Sequence, residues 1–240
     1  ELVAFFLTVE LARRYLGTAF EGPLRSAVGK IRQGLKGPVS VDLQGLARDY
    51  TFEAPHAEPA REEILLELHR AIRERRRVAM TYYTAYRNAR TDRTVEPYHL
   101  YNHDGDWYLI AFDLLRRGFR YFHVGRMERV KVVQEIFAPR RDFDLQAFLG
   151  QAFQVSAGER PHAVAIRFDA AQAPYIRGRQ WHPSQSIQEH RDGGLTLRFT
   201  TSGLGGVLRW VLQYGRHFKV LVPKELRKMV EDEVTAMGRK

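Results

Sequence analysis

The 240-residue chain contains no cysteine. That excludes disulfides, thiolate nucleophiles and cysteine-ligated zinc, and it fits a reducing cytoplasm. No apolar run reaches the roughly 18 residues of a membrane span. The opening Glu1-Leu2-Val3-Ala4-Phe5-Phe6-Leu7 has no basic stretch before it and is interrupted at Glu10, so it does not read as a signal peptide. An initiating methionine is also missing, and the expectation is a piece cut from a longer protein. Enzyme signatures are missing as well. There is no G-x-x-x-x-G-K-[ST] loop; Ser202-Gly203-Leu204-Gly205-Gly206 is glycine-rich but lacks the lysine, and a capped helix start is the plainer reading. No G-x-S-x-G elbow occurs. His99 and His103 stand four apart, but across a strand end and a turn, which separates them as metal ligands. Carboxylates are scattered. The chain is therefore not read as an enzyme, and no catalytic residue, metal or cofactor is assigned.

What is present describes a folded, basic protein. Hydrophobic residues make up 44% and aromatics 12% of the sequence, against disorder. The formal net charge of +10 favours nucleic acid, anionic ligands or acidic surfaces as partners. The charge is concentrated: Arg70 to Arg141 holds 16 Lys and Arg against 8 Asp and Glu.

The periodicities give an α+β order. Leu2, Phe5, Phe6, Val9, Ala12 and Leu16 are at helical spacing, and Leu24, Ala27, Val28, Ile31 and Leu35 form a second stripe behind Pro23. These two stripes need a partner, either the rest of the chain or a second copy. Residues 38 to 60, with Pro55 and Pro59, read as a loop or linker. A helix opening at Glu62 and Glu63 buries Ile64, Leu65, Leu68 and Ile72, and the run Arg73, Arg75, Arg76, Arg77 is expected to close it, as the helix dipole favours. Five strand-like runs follow: 78–84, 94–101, 106–112, 119–124 and 130–133, with a turn over 88–92 and a hairpin turn at Asn102-His103-Asp104-Gly105. Pro97 argues for an edge or a bulge. Five short strands with tight turns suggest a small, strongly bent β-barrel. After a connector with a short helix near 143–149, residues 162 to 222 read β-α-β-β-α-β, the order of a ferredoxin-like unit. In it Ser202 is expected to cap a helix that Gly215 ends, and a final helix starts at Pro223.

Within 76–133 the strands alternate arginine, histidine and tyrosine. Arginine forks bind phosphate, and tyrosine and histidine stack on bases. Arg93, His99, Arg120 and Arg126 come from three adjacent strand-like segments and are expected to converge. Trp107 and Leu109 are expected to fill the barrel, on the face opposite Tyr108.

Three blocks in this order carry a resemblance: Arg93-x-x-x-Pro97-Tyr98-His99-Leu100, then Trp107-Tyr108-Leu109 after a turn, then Arg120-x-Phe122-x-x-x-Arg126-Met127. They resemble the WYL domain of bacterial transcriptional regulators. Trp181-His182-Pro183-Ser184-Gln185, the hairpin Asp192-Gly193-Gly194, Trp210 to Gly215 and Val222-Pro223-x-x-Leu226-Arg227 are similar to the WCX extension that often follows it. The resemblance implies an Sm-like or SH3-like barrel and a module that senses nucleic acid or nucleotides, including single-stranded DNA. It implies a ligand surface of Tyr82 or Tyr83, His99, Arg120 and Arg126, to which Arg93 and Tyr98 of the first block are added. It also implies a homodimer, and operator DNA bound through an N-terminal winged helix-turn-helix that this chain lacks. The expected division is a helical segment over 1–60, the WYL domain over 61–138, a connector over 139–160 and the WCX extension over 161–240. Met127 stands where isoleucine is usual, and Asp113 puts an acid close to the pocket. The alternatives are a protein-docking or dimerisation module with a basic face, and a nucleic-acid-processing enzyme subunit.

Overall fold

The computed structural model describes residues 61–158 and 160–239, the helix Glu21–Gly34 (α1), and positions 5, 8, 9 and 12, which are helical. The linker expected over 38–60 and most of the helix expected over 1–16 lie outside the described residues. The chain divides into two compact units, Glu1–Pro139 and Arg140–Lys240.

The first unit is built on one amphipathic helix, α2 (Glu62–Glu74), whose buried residues are Ile64, Leu65, Leu68 and Ala71. Their spacing puts them on one stripe. Glu62 and Glu63 occupy its first turn, where the dipole favours acid. The arginine run divides differently from the expectation. Arg73 lies in the last turn, and Arg75 ends the helix in the left-handed conformation at φ 54°. Arg76 and Arg77 already belong to the next strand, tied to Glu74 and Glu96. An extended backbone sets in as soon as Arg75 has turned the chain.

Five antiparallel strands follow: β1 (Arg76–Thr84), β2 (Ala89–His103), β3 (Asp106–Asp113), β4 (Gly118–His123) and β5 (Met127–Ile136). Their order in the sheet is β4-β3-β2-β1-β5. The turn expected over 88–92 lies earlier in the chain, and 89–92 are already strand. A 3-10 turn at Ala85–Arg87 and Asn88 at φ 45° reverse the chain, and Ala89 already pairs with Thr84. The expected barrel does not close. β4 and β5 are the two edges, and no ladder joins them among the described residues. The six-residue β4 ends at His123, and a 3-10 turn, Val124–Arg126, carries the chain to β5, which pairs with β1. Under α2 the sheet buries Val78, Met80, Val95, Leu109, Ala111, Phe122 and Met127. At about 25 cal/mol per Å² of apolar surface, these side chains supply the main drive for this layer.

Pro97 sits in the part of β2 beyond its ladder with β1, so its missing N–H breaks no bond on that side. Against β3 the register jumps: Pro97 faces Ala111 and His99 faces Ile110, which leaves Tyr98 as the extra residue of a bulge.

The second unit opens with α3 (Leu145–Gln151), capped by the Asp144 side chain on the Ala147 N–H at 2.9 Å. Next come β6 (His162–Phe168), α4 (Ala173–Arg177), β7 (Ser186–Glu189), β8 (Leu195–Thr201), α5 (Leu204–Leu212), β9 (Phe218–Val222) and α6 (Lys224–Met237). The antiparallel sheet has the order β7-β8-β6-β9. Its core joins Phe153, Phe168, Leu197, Phe199, Trp210 and Leu226. Ser202 does not cap α5. Its hydroxyl donates to the Gln151 carbonyl at 3.2 Å, and Gly203 holds the cap position. The glycines serve packing there. A Cβ on Gly203 would stand 1.9 Å from the Ser156 carbonyl oxygen, and one on Gly206 2.6 Å from that of Phe153.

Candidate nucleic-acid interface

Strand alternation sorts the basic and aromatic residues of the first unit onto two faces. Val78, Met80 and Tyr82 of β1 lie opposite Val95, Arg93 and Thr91 of β2. Trp107, Leu109, Ala111 and Asp113 share that core-side face on β3, since Leu109 and Ala111 are core and Trp107 packs against them. Arg120 and Phe122 of β4 lie opposite Ala111 and Leu109 and so join it. Tyr108 points the other way, to Tyr121 and His123 at ring distances of 6.4 and 5.0 Å.

This alternation puts a carboxylate at the end of a core row. Asp113 is 1% exposed and needs partners. It has four. The Leu115 and Arg116 amides donate to Oδ1 at 2.9 and 3.2 Å. Arg93 Nη1 donates to Oδ2 at 3.2 Å, and Arg120 Nε lies 3.8 Å from the same oxygen. The Arg93 side chain is itself only 9% exposed, and its Nε donates to the Thr91 hydroxyl at 3.1 Å. Arg93 and Asp113 are thus a buried, mutually neutralised pair. Arg120 stays 43% exposed and sits farther from the carboxylate.

Tyr82 is the second node. Its ring meets Phe122 edge-on at 5.1 Å, and its hydroxyl accepts the His123 amide at 3.1 Å. The Arg126 guanidinium lies near enough to this hydroxyl to act on its titration. Burial pushes the phenol pKa up, and the His123 amide, Arg126 and Arg93 oppose the rise in that order. The phenol stays neutral at pH 7 and holds the 3-10 turn of Arg126 against β1. So Tyr82, Arg93, Arg120 and Arg126 come together at the rim of the core face. Arg93 and Arg120 flank the Asp113 carboxylate, Arg120 is exposed and Arg126 is partly exposed.

The other three expected residues lie apart. Tyr83 projects to the opposite face of β1, where Arg90 stacks over its ring at 5.2 Å and its hydroxyl donates to Asn88 at 3.1 Å. Tyr98, the bulged residue, packs against Phe119 and Phe137 at 5.1 and 5.4 Å. His99 takes the face of its partner Ile110 and of Tyr121, and burial pushes its imidazole pKa down. Sequence reasoning placed Asp113 near the pocket but missed its role. The row Trp107, Leu109, Ala111, Asp113 already carried the signal: a buried acid at the end of an apolar row demands a cation. Tyr101 and His123 on the outer face were missed as well. Among the described residues no group of three or more His, Asp or Glu is placed to hold a metal ion.

A bent, basic, open antiparallel sheet under one helix, followed by a four-stranded α+β unit, defines a two-module protein with a cationic face on the first module. Comparison with known families gives the same two modules. Residues 63–132 match the WYL domain and residues 160–238 the WCX domain, so the chain carries one domain of each of these two families. Among solved structures, proteasome accessory factor B/C (PafBC) of Arthrobacter aurescens is 23% identical, over 73% of this chain and 27% of that chain, with a TM-score of 0.37. A CRISPR Cas-related protein is 10% identical, over 74% of this chain and 51% of that chain, with a TM-score of 0.48. The chain thus spans between a quarter and about half the length of these relatives.

Proposed function

We propose that the chain is the effector-sensing part of a bacterial DNA-binding transcriptional regulator, and that it binds a nucleic acid or nucleotide ligand, such as single-stranded DNA, on the arginine rim of its WYL domain. The observation that carries this is the division of labour around Asp113. Arg93 neutralises the buried carboxylate, which leaves Arg120 and Arg126 to take phosphate by charge-assisted hydrogen bonds. The WYL and WCX matches support the regulatory part of the reading. In this reading the sheet of the first unit corresponds to an Sm-like or SH3-like fold and the second unit to a ferredoxin-like one. The protein works as a cytoplasmic homodimer, and operator DNA is contacted by a winged helix-turn-helix rather than by either unit. His99, Tyr98 and Tyr83 face away from the arginine rim, so the ligand contacts assigned here are Tyr82, Arg120 and Arg126, with Arg93 as support.

Ligand binding acts on regulation through differential affinity for two arrangements of the dimer. The test is a fluorescence-anisotropy titration of the chain with a labelled single-stranded oligonucleotide over a series of salt concentrations, with sedimentation equilibrium on the same samples. The expected result is binding that weakens steeply with salt, by a species of twice 27.9 kDa. A monomer at every concentration would remove the dimer from the account. Lack of any binding at low salt would favour the protein-docking alternative.

A further inference from the structure

The apolar stripe of α6 outruns the core of the second unit. Leu226, Val230, Val234 and Met237 follow one another at helical spacing, on one face of the helix. Leu226 is fully buried, and Val230 packs against the same core. Val234 and Met237 are 55% and 60% exposed. β9 forms one edge of the sheet. Between this strand and α6 lies a hollow of about 800 Å³, whose apolar lining includes Leu212, Phe218, Val220 and the α6 stripe from Val230 onward. Small-molecule sites have this size and character, apolar walls with a few placed polar groups. The charged groups here are mostly cations. Arg216, Lys219 and Arg227 line the hollow against one acid, Glu231. Neither Arg216 nor Lys219 is in an ion pair among the described residues. Arg227 is held in place: its Nε donates to the Val220 carbonyl at 3.2 Å and its Nη2 to that of Leu221 at 2.6 Å. Nη1 takes no part in these bonds, and carbonyl partners leave the charge unneutralised.

We infer that the hollow between β9 and α6 binds a small amphipathic carboxylate, with its apolar body against Phe218, Val230 and Val234 and its anionic head on the Arg227 guanidinium. Each feature narrows the occupant. A strand added along the β9 edge would meet carbonyls that Arg227 already occupies. A protein partner, a second copy included, needs roughly 800 Å² of its own surface for a stable contact. The partly covered stripe from Val230 to Met237 is only roughly 10 Å long at the usual helical rise. That length suits a small apolar body, and the surplus of cations asks for an anionic head. A guanidinium fork matches a carboxylate, and one already fixed by two carbonyls loses little freedom on binding. Strand alternation puts Lys219 on the other face of β9 from Phe218 and Val220, so its ammonium stands at the rim, where with Arg216 it attracts the anion. This site belongs to the second unit and stands or falls apart from the function proposed above.

The test is isothermal titration calorimetry of the full chain with three probes: octanoate, octan-1-ol, which keeps the apolar body without the charge, and acetate, which keeps the charge without the body. The expected result is that octanoate binds roughly tenfold or more tightly than either of the others. Two variants locate the site. Arg227→Ala should weaken octanoate by roughly tenfold and leave octan-1-ol within error. The Val234→Glu, Met237→Glu double variant should abolish octanoate binding by placing like charge against it. Both of these side chains are exposed, and an unchanged denaturant midpoint checks that the double variant is folded. Absence of octanoate binding to the unmodified chain, octan-1-ol binding as tightly as octanoate, or unchanged octanoate affinity in the folded double variant overturns the inference. Sedimentation equilibrium of the same samples decides the remaining occupant: if the double variant without ligand changes its oligomeric state, the hollow is covered by a second copy and the carboxylate site is refuted.

Discussion

Asp113 holds the arginine cluster in place, and its energetics are those of a buried ion pair. Such a pair adds little net stability, because desolvation of both groups offsets the attraction, yet removing one partner strands the other. Asp113→Asn would leave the Arg93 guanidinium buried without a counter-charge and weaken the anchor of the β3–β4 turn. The expected loss is about 3 kcal/mol of stability, read as a lower denaturant midpoint of the first unit. A midpoint within about 0.5 kcal/mol of the unmodified chain would show that the pair is solvated and that the structural role assigned to it is wrong. Tyr82 plays the complementary part. Its hydroxyl accepts the His123 amide, which fixes the end of β4 beside the turn that carries Arg126.

The elements were legible in the sequence to the extent that they follow a period. The α2 stripe repeats at helical spacing, and the row through Trp107, Leu109 and Ala111 repeats at two, so the helix and the inward face of β3 could be read without coordinates. The features that escaped depend on contacts between distant residues or on local breaks of period. The bulge at Tyr98 shifts the parity after Pro97, which sends His99 away from the arginines it was expected to join. The Arg93–Asp113 pair links positions on different strands, and no local signal names the partner. The missing β4–β5 ladder depends on how one 3-10 turn directs the chain. Ser202 looked like a cap because the local chemistry allows it, but the Gln151 carbonyl claims its hydroxyl. The glycines beside it have a checkable role. Gly203→Ala would force a Cβ against backbone and should cost the second unit about 1–3 kcal/mol, as overpacking does. Gly205→Ala meets nothing closer than the Ser156 hydroxyl at 3.7 Å and should be neutral or slightly stabilising in the helix. A pair of thermal melts decides this; equal midpoints for the two variants would refute the packing account of the glycine-rich stretch.

At the scale of the whole molecule, the net charge of +10 is shared: residues 1–139 hold 22 Lys and Arg against 18 Asp and Glu, and residues 140–240 hold 16 against 10. The WYL unit carries the arginine rim and the basic β3–β4 turn. Both units pair several basic side chains: Arg77 with Glu96 and Arg90 with Glu128 in the first, Arg177 with Glu189, Arg167 with Asp192 and His217 with Asp169 in the second. The exposed pairs among them are worth little individually. What sets the first unit apart is therefore not its net charge but the placement of Arg120 and Arg126 at the rim of its core face. The central claim is that two particular guanidinium groups, those of Arg120 and Arg126, hold the ligand. The most direct measurement is the anisotropy titration repeated with the Arg120→Ala, Arg126→Ala double variant, alongside its denaturant midpoint. The account predicts that binding of the single-stranded probe is lost while the midpoint stays near that of the unmodified chain. Unchanged affinity in a folded double variant would contradict it.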